Sequence, residues 1–167
     1  MTVRGFLPWP DPRLKAVAAP VAEVTGEIRE IWRDMVDTMD AMPGYGLAGP
    51  QIGVMQRLAV VDCSETRGQA VLLANPEILH LSAQMRAHDE GSPNLPGVSA
   101  VISRPRALTV RFLNADGIVE ERDFVGLWAT SVQHQIDHLN GRLYFDHLSA
   151  LKRRMLLARY EKLRRLA

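Results

Sequence analysis

Residues 133–138 read Gln-His-Gln-Ile-Asp-His and form the most informative motif of the chain. His134 and His138 are four residues apart, so on a helix they share one face and can bind one metal ion. In metallohydrolase helices of this kind, a glutamate follows the first histidine and accepts a proton from metal-bound water. Gln135 occupies that position, and an amide cannot accept that proton. The stretch predicts a metal-site helix with an altered reactive group.

Length and composition exclude several classes of protein. A chain of 167 residues with 47% hydrophobic and 23% charged residues is typical of one globular domain, so we expect a single domain over residues 1–167. The lone Cys63 excludes an internal disulfide and indicates a reducing, cytoplasmic compartment. The sequence contains no apolar run that suits a signal peptide or a membrane span, so no membrane partner is expected.

Hydrophobic periodicity predicts a mixture of helices and strands. Helices are predicted over residues 25–42, 125–139 and 148–167, and strands over residues 58–63, 70–74, 107–113 and 118–124. The last two strands flank Asn114-Ala115-Asp116-Gly117, which favours a hairpin. Met35, Met39 and Met42 recur at helical spacing and are interpreted as core residues. Because strands and helices do not alternate regularly, we expect an α+β fold.

Three segments resemble the motifs of the peptide deformylase family. Residues 44–53 resemble its GxGLAAxQ motif, residues 90–97 its EGCLSxPG motif, and residues 133–138 its QHExDH motif. Their order and separations match as well, and smaller matches occur at residues 11–14, at Asn75-Pro76 and at Arg104. The resemblance covers essentially the whole chain. It implies the peptide deformylase fold, with antiparallel β-sheets around a central HxxxH helix and a C-terminal helix.

The resemblance also implies an activity and a set of site residues. Family members use a divalent metal, iron in the native state, to hydrolyse the N-formyl group of formylmethionyl peptides during translation. His134, His138 and Ser92 match the three metal ligands. Gln51 matches the glutamine that stabilises the formyl oxyanion, and Gln135 stands where the family has its catalytic glutamate. The implied partner is the formyl-Met end of a nascent chain.

Residues expected to bind substrate come from the first motif and from the strand region beyond the second. Tyr45, Gly46 and Leu47 fall in the segment whose backbone pairs with an extended substrate in the family. Arg104 completes the predicted substrate-binding set.

Three departures fall on the positions that carry the chemistry. Ser92 replaces the cysteine ligand, and a neutral hydroxyl binds a soft divalent ion poorly. Pro93 has no backbone N–H to offer an oxyanion, and Gln135 is no base. We therefore expect Fe, Zn or Ni to bind weakly or not at all. The leading hypothesis is a catalytically impaired protein that binds peptides or ribosomes. The alternative is an active metal-dependent peptide deformylase, or a related amide hydrolase, with a variant site.

Two other residues could in principle replace the missing cysteine ligand. Cys63 belongs to a predicted strand about thirty residues before Ser92, so it is not an obvious replacement. His88 lies two residues before Glu90 and is interpreted as a surface histidine.

The C-terminal helix is strongly basic. Residues 152–167 carry seven Lys and Arg against one acid, a net +6, whereas residues 1–151 carry −5. Two interpretations are open: the helix docks on the protein with a solvated basic face, or it contacts RNA. The resemblance supports the second, because the C-terminal helix of bacterial deformylases binds the ribosome. No DNA partner is expected. Leu151 and Met155 are expected to lie on its packed side.

Overall fold

The computed structural model describes residues 2–167. Within that range, the helices are α1 (Gly26–Ala41), α2 (Leu127–Leu139) and α3 (Ala150–Leu166). The strands are β1 (Gly46–Ala48), β2 (Leu58–Val61), β3 (Val71–Leu81), β4 (Met85–Glu90), β5 (Ala100–Pro105), β6 (Ala107–Leu113) and β7 (Val119–Val125). Short 3₁₀ turns cover Pro12–Lys15, Gly49–Ile52 and Tyr144–His147.

The strands form two antiparallel sheets, and the predicted hairpin is present. Five strands pair in the order β1-β2-β3-β6-β7, and β4 pairs with β5 in a separate two-stranded sheet. At the β6–β7 turn, the Asn114 side chain accepts hydrogen bonds from the backbone N–H groups of Asp116 and Ile118. Gly117 closes the turn with φ of 74°, a conformation that favours glycine.

Helix α2 packs against strands of both sheets, as expected for a central helix. It contacts β1, β2 and β7 of the large sheet and β5 of the small one. The helix begins at Leu127, two residues later than predicted, because Val125 still pairs with Ala107 as the last residue of β7. Gly126 then makes the turn with φ of 62°.

Helix α1 packs its methionines into the core. The Thr25 hydroxyl caps the helix by accepting from the Ile28 N–H at 3.2 Å. Trp32, Met35 and Met39 are fully buried, which confirms the core interpretation of these methionines, and Met42 packs against the same cluster.

Helix α3 packs over the N-terminal segment through Leu156 and Tyr160, which are both buried. Near its end, Arg164 donates a hydrogen bond of 3.0 Å to the backbone oxygen of Trp9. The expectation that Leu151 and Met155 lie on the packed side is wrong, because each is 60% exposed.

Three strands were not predicted, and one was predicted too short. The inner face of β4 is polar, so its alternation does not resemble a hydrophobic strand pattern. Strand β3 continues to Leu81 through Asn75 and Pro76, with two shifts in its register against β6. Within residues 2–167, every helix is too short or too polar to cross a lipid bilayer.

Candidate active site

The two histidines of α2 meet in the buried centre of the molecule. His134 is 8% exposed and His138 is fully buried, and their Nε2 atoms lie 3.2 Å apart. Helical spacing therefore brings both imidazoles to one point, as the sequence predicted. Burial, helped by the neighbouring His134, holds the pKa of His138 well below its ordinary value, so its ring is neutral.

Behind the histidines lies a charge network in which Glu90 and Arg104 are buried, Asp137 is half-buried and His147 is exposed. Glu90 lies 2.8 Å from His134 Nδ1 and receives two hydrogen bonds from Arg104, of 2.7 and 3.0 Å. Arg104 also donates to Asp137 at 2.8 Å, and His147 Nε2 lies 2.7 Å from the same oxygen. A carboxylate on the far nitrogen of an imidazole is the arrangement that orients histidine ligands in metal sites.

The ionisation of this network follows from its contacts. Burial acts to raise the pKa of the Glu90 carboxyl, but hydrogen bonds from His134 and Arg104 outweigh it and lower that pKa. The Asp137 pKa is lowered in the same way, with burial opposed by His147 and Arg104. Glu90 and Asp137 are therefore both ionised at neutral pH.

Arg104 has a different environment from the one predicted. It is 3% exposed, and its guanidinium is occupied by Glu90 and Asp137. Its predicted role in binding substrate remains a prediction, and the observed contacts place it behind the histidines. The parts played by Asp137 and His147 were missed, although Asp137 lies inside the quoted motif.

Ser92 and Gln51 belong to a second buried cluster. The Gln51 amide donates to Asn94 Oδ1 at 2.9 Å and to the Ser92 hydroxyl at 3.3 Å. Ser92 itself donates to Asn94 Oδ1 at 2.9 Å, and Gln51 accepts from the Ala48 N–H at 2.9 Å. The hydroxyl of Ser92 is thus tied to neutral amides. Asn94 was not among the predicted site residues, and only its place in the second motif could have drawn attention to it.

Gln135 packs closely against the first motif. A Cβ added at Gly46 would lie 2.5 Å from the Gln135 amide nitrogen and 2.6 Å from the Ser131 hydroxyl, so a larger residue there would require these two side chains to move. The Gln135 amide oxygen is buried and has no hydrogen-bond partner. An unpaired buried acceptor costs about 1–3 kcal/mol.

A cavity of about 250 Å³ opens beside the histidines. Residues 44–46 line one side, residues 88–91 and Pro93 line the other, and α2 forms its floor. His134, Gln135 and Gln51 all reach it, whereas Leu47 is fully buried in the core.

His88 and Cys63, the two possible substitutes for the cysteine ligand, lie in different places. His88 is half-buried and lines the cavity, and its interpretation as a surface histidine remains a prediction. The thiol of Cys63 lies 3.9 Å from the Tyr45 carbonyl oxygen, away from the histidine pair. Burial raises its pKa to about 12, so it is no thiolate at neutral pH.

The donor atoms present match a divalent metal only in part. His134 and His138 converge as two imidazole ligands would, but Ser92 supplies a neutral hydroxyl in place of a thiolate. Within residues 2–167, no three His, Cys, Asp or Glu side chains come together to hold a metal ion. The observed donor set therefore contains two of the three ligand types that the resemblance implies.

Known proteins that are similar to this chain in sequence and in fold are peptide deformylases. Residues 3–154 match the family model described as polypeptide deformylase. A peptide deformylase of Rhodopseudomonas palustris strain TIE-1 is 42% identical over 166 residues, which cover 97% of this chain and 95% of the relative.

The comparison with solved structures covers nearly the whole chain. The crystal structure of a peptide deformylase from Legionella pneumophila superposes with a TM-score of 0.92 and 38% identity, covering 99% of this chain and 97% of that one. A Met-Ala-Ser-bound deformylase from Acinetobacter baumannii superposes with a TM-score of 0.83 and 29% identity, covering 88% and 99% of the two chains. The expected α+β deformylase fold is confirmed, and the chain belongs to the peptide deformylase family.

Proposed function

We propose that this protein binds the N-formylmethionyl ends of peptides in its cavity and hydrolyses their formyl group slowly, through a variant site. The observation that carries the proposal is that His134, which contacts both Glu90 and His138, lines this cavity. Its walls are the first-motif backbone and β4, both of which an extended peptide can approach.

Binding of a peptide end is supported by the shape of the cavity. Residues 44–46 lead into β1 and line the cavity, and β1 is an edge strand that pairs only with β2. An extended chain can add to such an edge, and its inward-pointing first side chain then meets α2. The Acinetobacter relative was crystallised with the peptide Met-Ala-Ser, which supports the same class of ligand here.

The relatives support hydrolysis more than they support an inactive protein. All the relatives named above are called peptide deformylases, so the alternative of an active enzyme with a variant site is better supported than the leading hypothesis of an impaired one. The family uses a divalent metal; in this chain, His134 and His138 would hold it, with Ser92 nearest in role to the third ligand. When bound there, a divalent metal would supply polarisation of the formyl carbonyl.

The exchanged residues support a low rate. Loss of a general base typically costs about 10²–10⁴ in rate, and loss of one oxyanion donor about 10²–10³. Gln135 and Pro93 are exchanges of these two kinds. The Gln51 amide is the remaining side-chain donor of the predicted oxyanion site, and it already contacts Ser92 and Asn94.

We also propose that α3 contacts the ribosome or another polyanion. Five basic residues of α3 are exposed to solvent: Lys152, Arg154, Arg159, Lys162 and Arg165. Arg153 and Arg164 are partly neutralised by Asp146 and Glu161. A basic helix face of this kind attracts phosphate groups.

Formate release from formyl-Met-Ala-Ser tests the hydrolysis. The protein would be stripped with a chelator and assayed alone and with Fe²⁺, Ni²⁺, Co²⁺ or Zn²⁺, and its bound metal would be counted by elemental analysis. We expect slow, metal-dependent turnover and less than one tightly held ion per chain. The matched control is the double variant His134→Ala, His138→Ala, purified identically. A wild-type rate no higher than that of this control would refute hydrolysis, and direct titration of the peptide would then test binding alone.

A further inference from the structure

Resting on the proposed function, we infer that Asn94 is a positioning residue, which fixes the orientation of Gln51 and Ser92 for the formyl group of a bound peptide. Its Oδ1 atom accepts one hydrogen from each of these side chains. The nitrogen of the Gln51 amide is thereby directed to the second motif, where Gly91 and Pro93 line the cavity. Asn94 lies behind them, 1% exposed and outside the cavity lining, so it acts through Gln51.

Asn94 uses every hydrogen-bonding position of its side chain. Its Oδ1 accepts from the Gln51 amide and from the Ser92 hydroxyl, both at 2.9 Å. Its Nδ2 donates to the backbone oxygens of Leu7 at 2.8 Å and of Gln51 at 3.0 Å. An amide offers two acceptor and two donor positions, so this side chain is saturated. A flipped amide would set donors against donors, and these contacts therefore fix one orientation.

The Gln51 amide is fixed at both of its ends. Its oxygen accepts from the Ala48 N–H at 2.9 Å, which decides between the two possible flips of the amide. One N–H of its nitrogen donates to Asn94 at 2.9 Å. The other reaches the Ser92 oxygen at 3.3 Å, which is longer than usual for such a bond. Gln51 therefore has one strongly held N–H and one weakly held N–H.

Ser92 is held in the complementary way. Its O–H donates to Asn94, so its lone pairs are directed to the Gln51 amide and to the Asn94 N–H, both at 3.3 Å. The family motif quoted above has a cysteine at residue 92 and a serine at residue 94, so both partners of this bond depart from it. A buried hydroxyl needs an acceptor for its hydrogen, whereas a thiolate has no hydrogen to place. Asn94 supplies that acceptor, and the two exchanges form one hydrogen-bonded unit.

The weak contact between Gln51 and Ser92 is the one that a ligand can replace. A carbonyl oxygen that gains negative charge is a stronger acceptor than a neutral hydroxyl, so it would take the Gln51 N–H from Ser92. The bonds from Gln51 to Ala48 and Asn94 would remain, and the amide would need no reorientation as charge develops on the formyl oxygen. Without Asn94 the amide has one fixed contact fewer, and part of that stabilisation is lost.

Steady-state kinetics with formyl-Met-Ala-Ser test the role of Asn94. Asn94→Ala should lower kcat by at least about 10-fold and leave KM nearly unchanged, because the lost orientation matters most in the transition state. Asn75→Ala is the matched control, since the Asn75 side chain also joins two chain segments, through the N–H and the carbonyl of Val21 at 2.9 and 2.8 Å. Asn75 lies outside this cavity, so its variant should lose stability and keep kcat. An equal fall of kcat in the two variants would overturn the positioning role.

A double-mutant cycle decides whether Asn94 acts through Gln51. Gln51→Met should lower kcat at least as much as Asn94→Ala does, and the combination should lower it no further. Independent, multiplying effects would overturn the inference and leave the proposed function standing. Wild-type turnover no higher than that of the His134→Ala, His138→Ala control would overturn both. If Asn94→Ala does not fold, Asn94→Leu, which fills the same space, takes its place in the cycle.

Discussion

The two sides of the histidine pair differ in a way that their positions explain. Behind the pair, the buried Arg104 bonds the buried Glu90 and the half-buried Asp137, with no bond longer than 3.0 Å. In front of it, Ser92 and Gln135 stand where the family motifs have a cysteine and a glutamate.

Folding alone is enough to retain the rear of the site. Removing one partner of a buried ion pair leaves an uncompensated charge and costs about 3–5 kcal/mol, whatever the protein does. Exchanging a side chain that faces a cavity has little such cost. The intact charge network is therefore evidence for the fold, whereas activity must be judged from the front of the site.

The largest expected effect comes from breaking the rear of the site. Arg104→Met should lower the free energy of unfolding by about 3–5 kcal/mol, because Glu90 and Asp137 lose a shared cation. Urea unfolding followed by circular dichroism measures this loss. Arg111→Met is the control: its pair with Glu121 is exposed and should contribute about 0–1 kcal/mol. Equal losses in the two variants would contradict the contrast.

Restoring the front of the site should affect rate rather than stability. The triple variant Ser92→Cys, Pro93→Leu, Gln135→Glu should raise kcat/KM for formyl-Met-Ala-Ser by about 10²–10⁴. Gln135→Glu alone should do far less, because the third ligand would still be a hydroxyl. Full recovery in the single variant would show that the metal site is sound as it stands.

Helix α3 provides a matched pair of apolar residues. Leu156→Ala should cost about 2–5 kcal/mol, since Leu156 is 1% exposed in the core. Met155→Ala, one residue away, should change stability by less than about 0.5 kcal/mol, because Met155 is 60% exposed. Thermal unfolding of the two variants measures the difference, and a reversed order would mean that α3 docks by another face.

Acid should weaken the rear of the site progressively. The pKa values of Glu90 and Asp137 are lowered in the folded state, so the unfolded chain takes up protons first. Their stabilising contribution is complete above about pH 5 and is lost as the pH falls through the folded pKa values. His138, whose folded pKa lies well below 6.5, adds a loss that begins nearer that pH. Urea midpoints between pH 7 and pH 3 should fall throughout; a flat profile would contradict the ionised network.

Charge reversal on α3 should have the smallest effect on folding. Changing Arg154, Arg159, Lys162 and Arg165 to Glu alters exposed charges, so unfolding should shift by less than about 1 kcal/mol. If α3 contacts ribosomes, the same variant should no longer co-sediment with them, and wild-type binding should fall steeply with salt. Absence of wild-type co-sedimentation at low salt would leave α3 as a structural helix.

Sequence analysis could predict the elements with strong local patterns. Residues 107–113 form the predicted strand to the residue, and α1 lies within one residue of its predicted bounds. Hydrophobic spacing defines both elements, and the Thr25 cap also marks the start of α1. Strand β4 could not be recognised, since its inner face carries Arg86, His88 and Glu90 instead of apolar side chains. The packing of that face against α2 is a tertiary contact, which the local sequence pattern does not indicate.

The sequence motifs identified several residues of the site, but they did not indicate the hydrogen bonds that join these residues to the charge network. His134 lies against His138, Gln51 contacts Ser92, and His134 and Gln51 both line the cavity. No local signal links Arg104 to Asp137, 33 residues later, so the network behind the histidines was missed. The exposure of Met155 likewise depends on which face of α3 docks, and apolar spacing alone did not decide it.

The bond from Arg164 to Trp9 spans 155 residues of sequence. Ribosomes make the chain from its N-terminus at about 5–20 residues per second, so Trp9 waits roughly 10–30 s before its last partner exists. The core that joins Trp9 to Phe145, Leu156 and Tyr160 must therefore close after synthesis is nearly finished. Until then this apolar surface is exposed on a growing chain, and release of the finished polypeptide, rather than the emergence of any early helix, sets the moment at which the fold is completed.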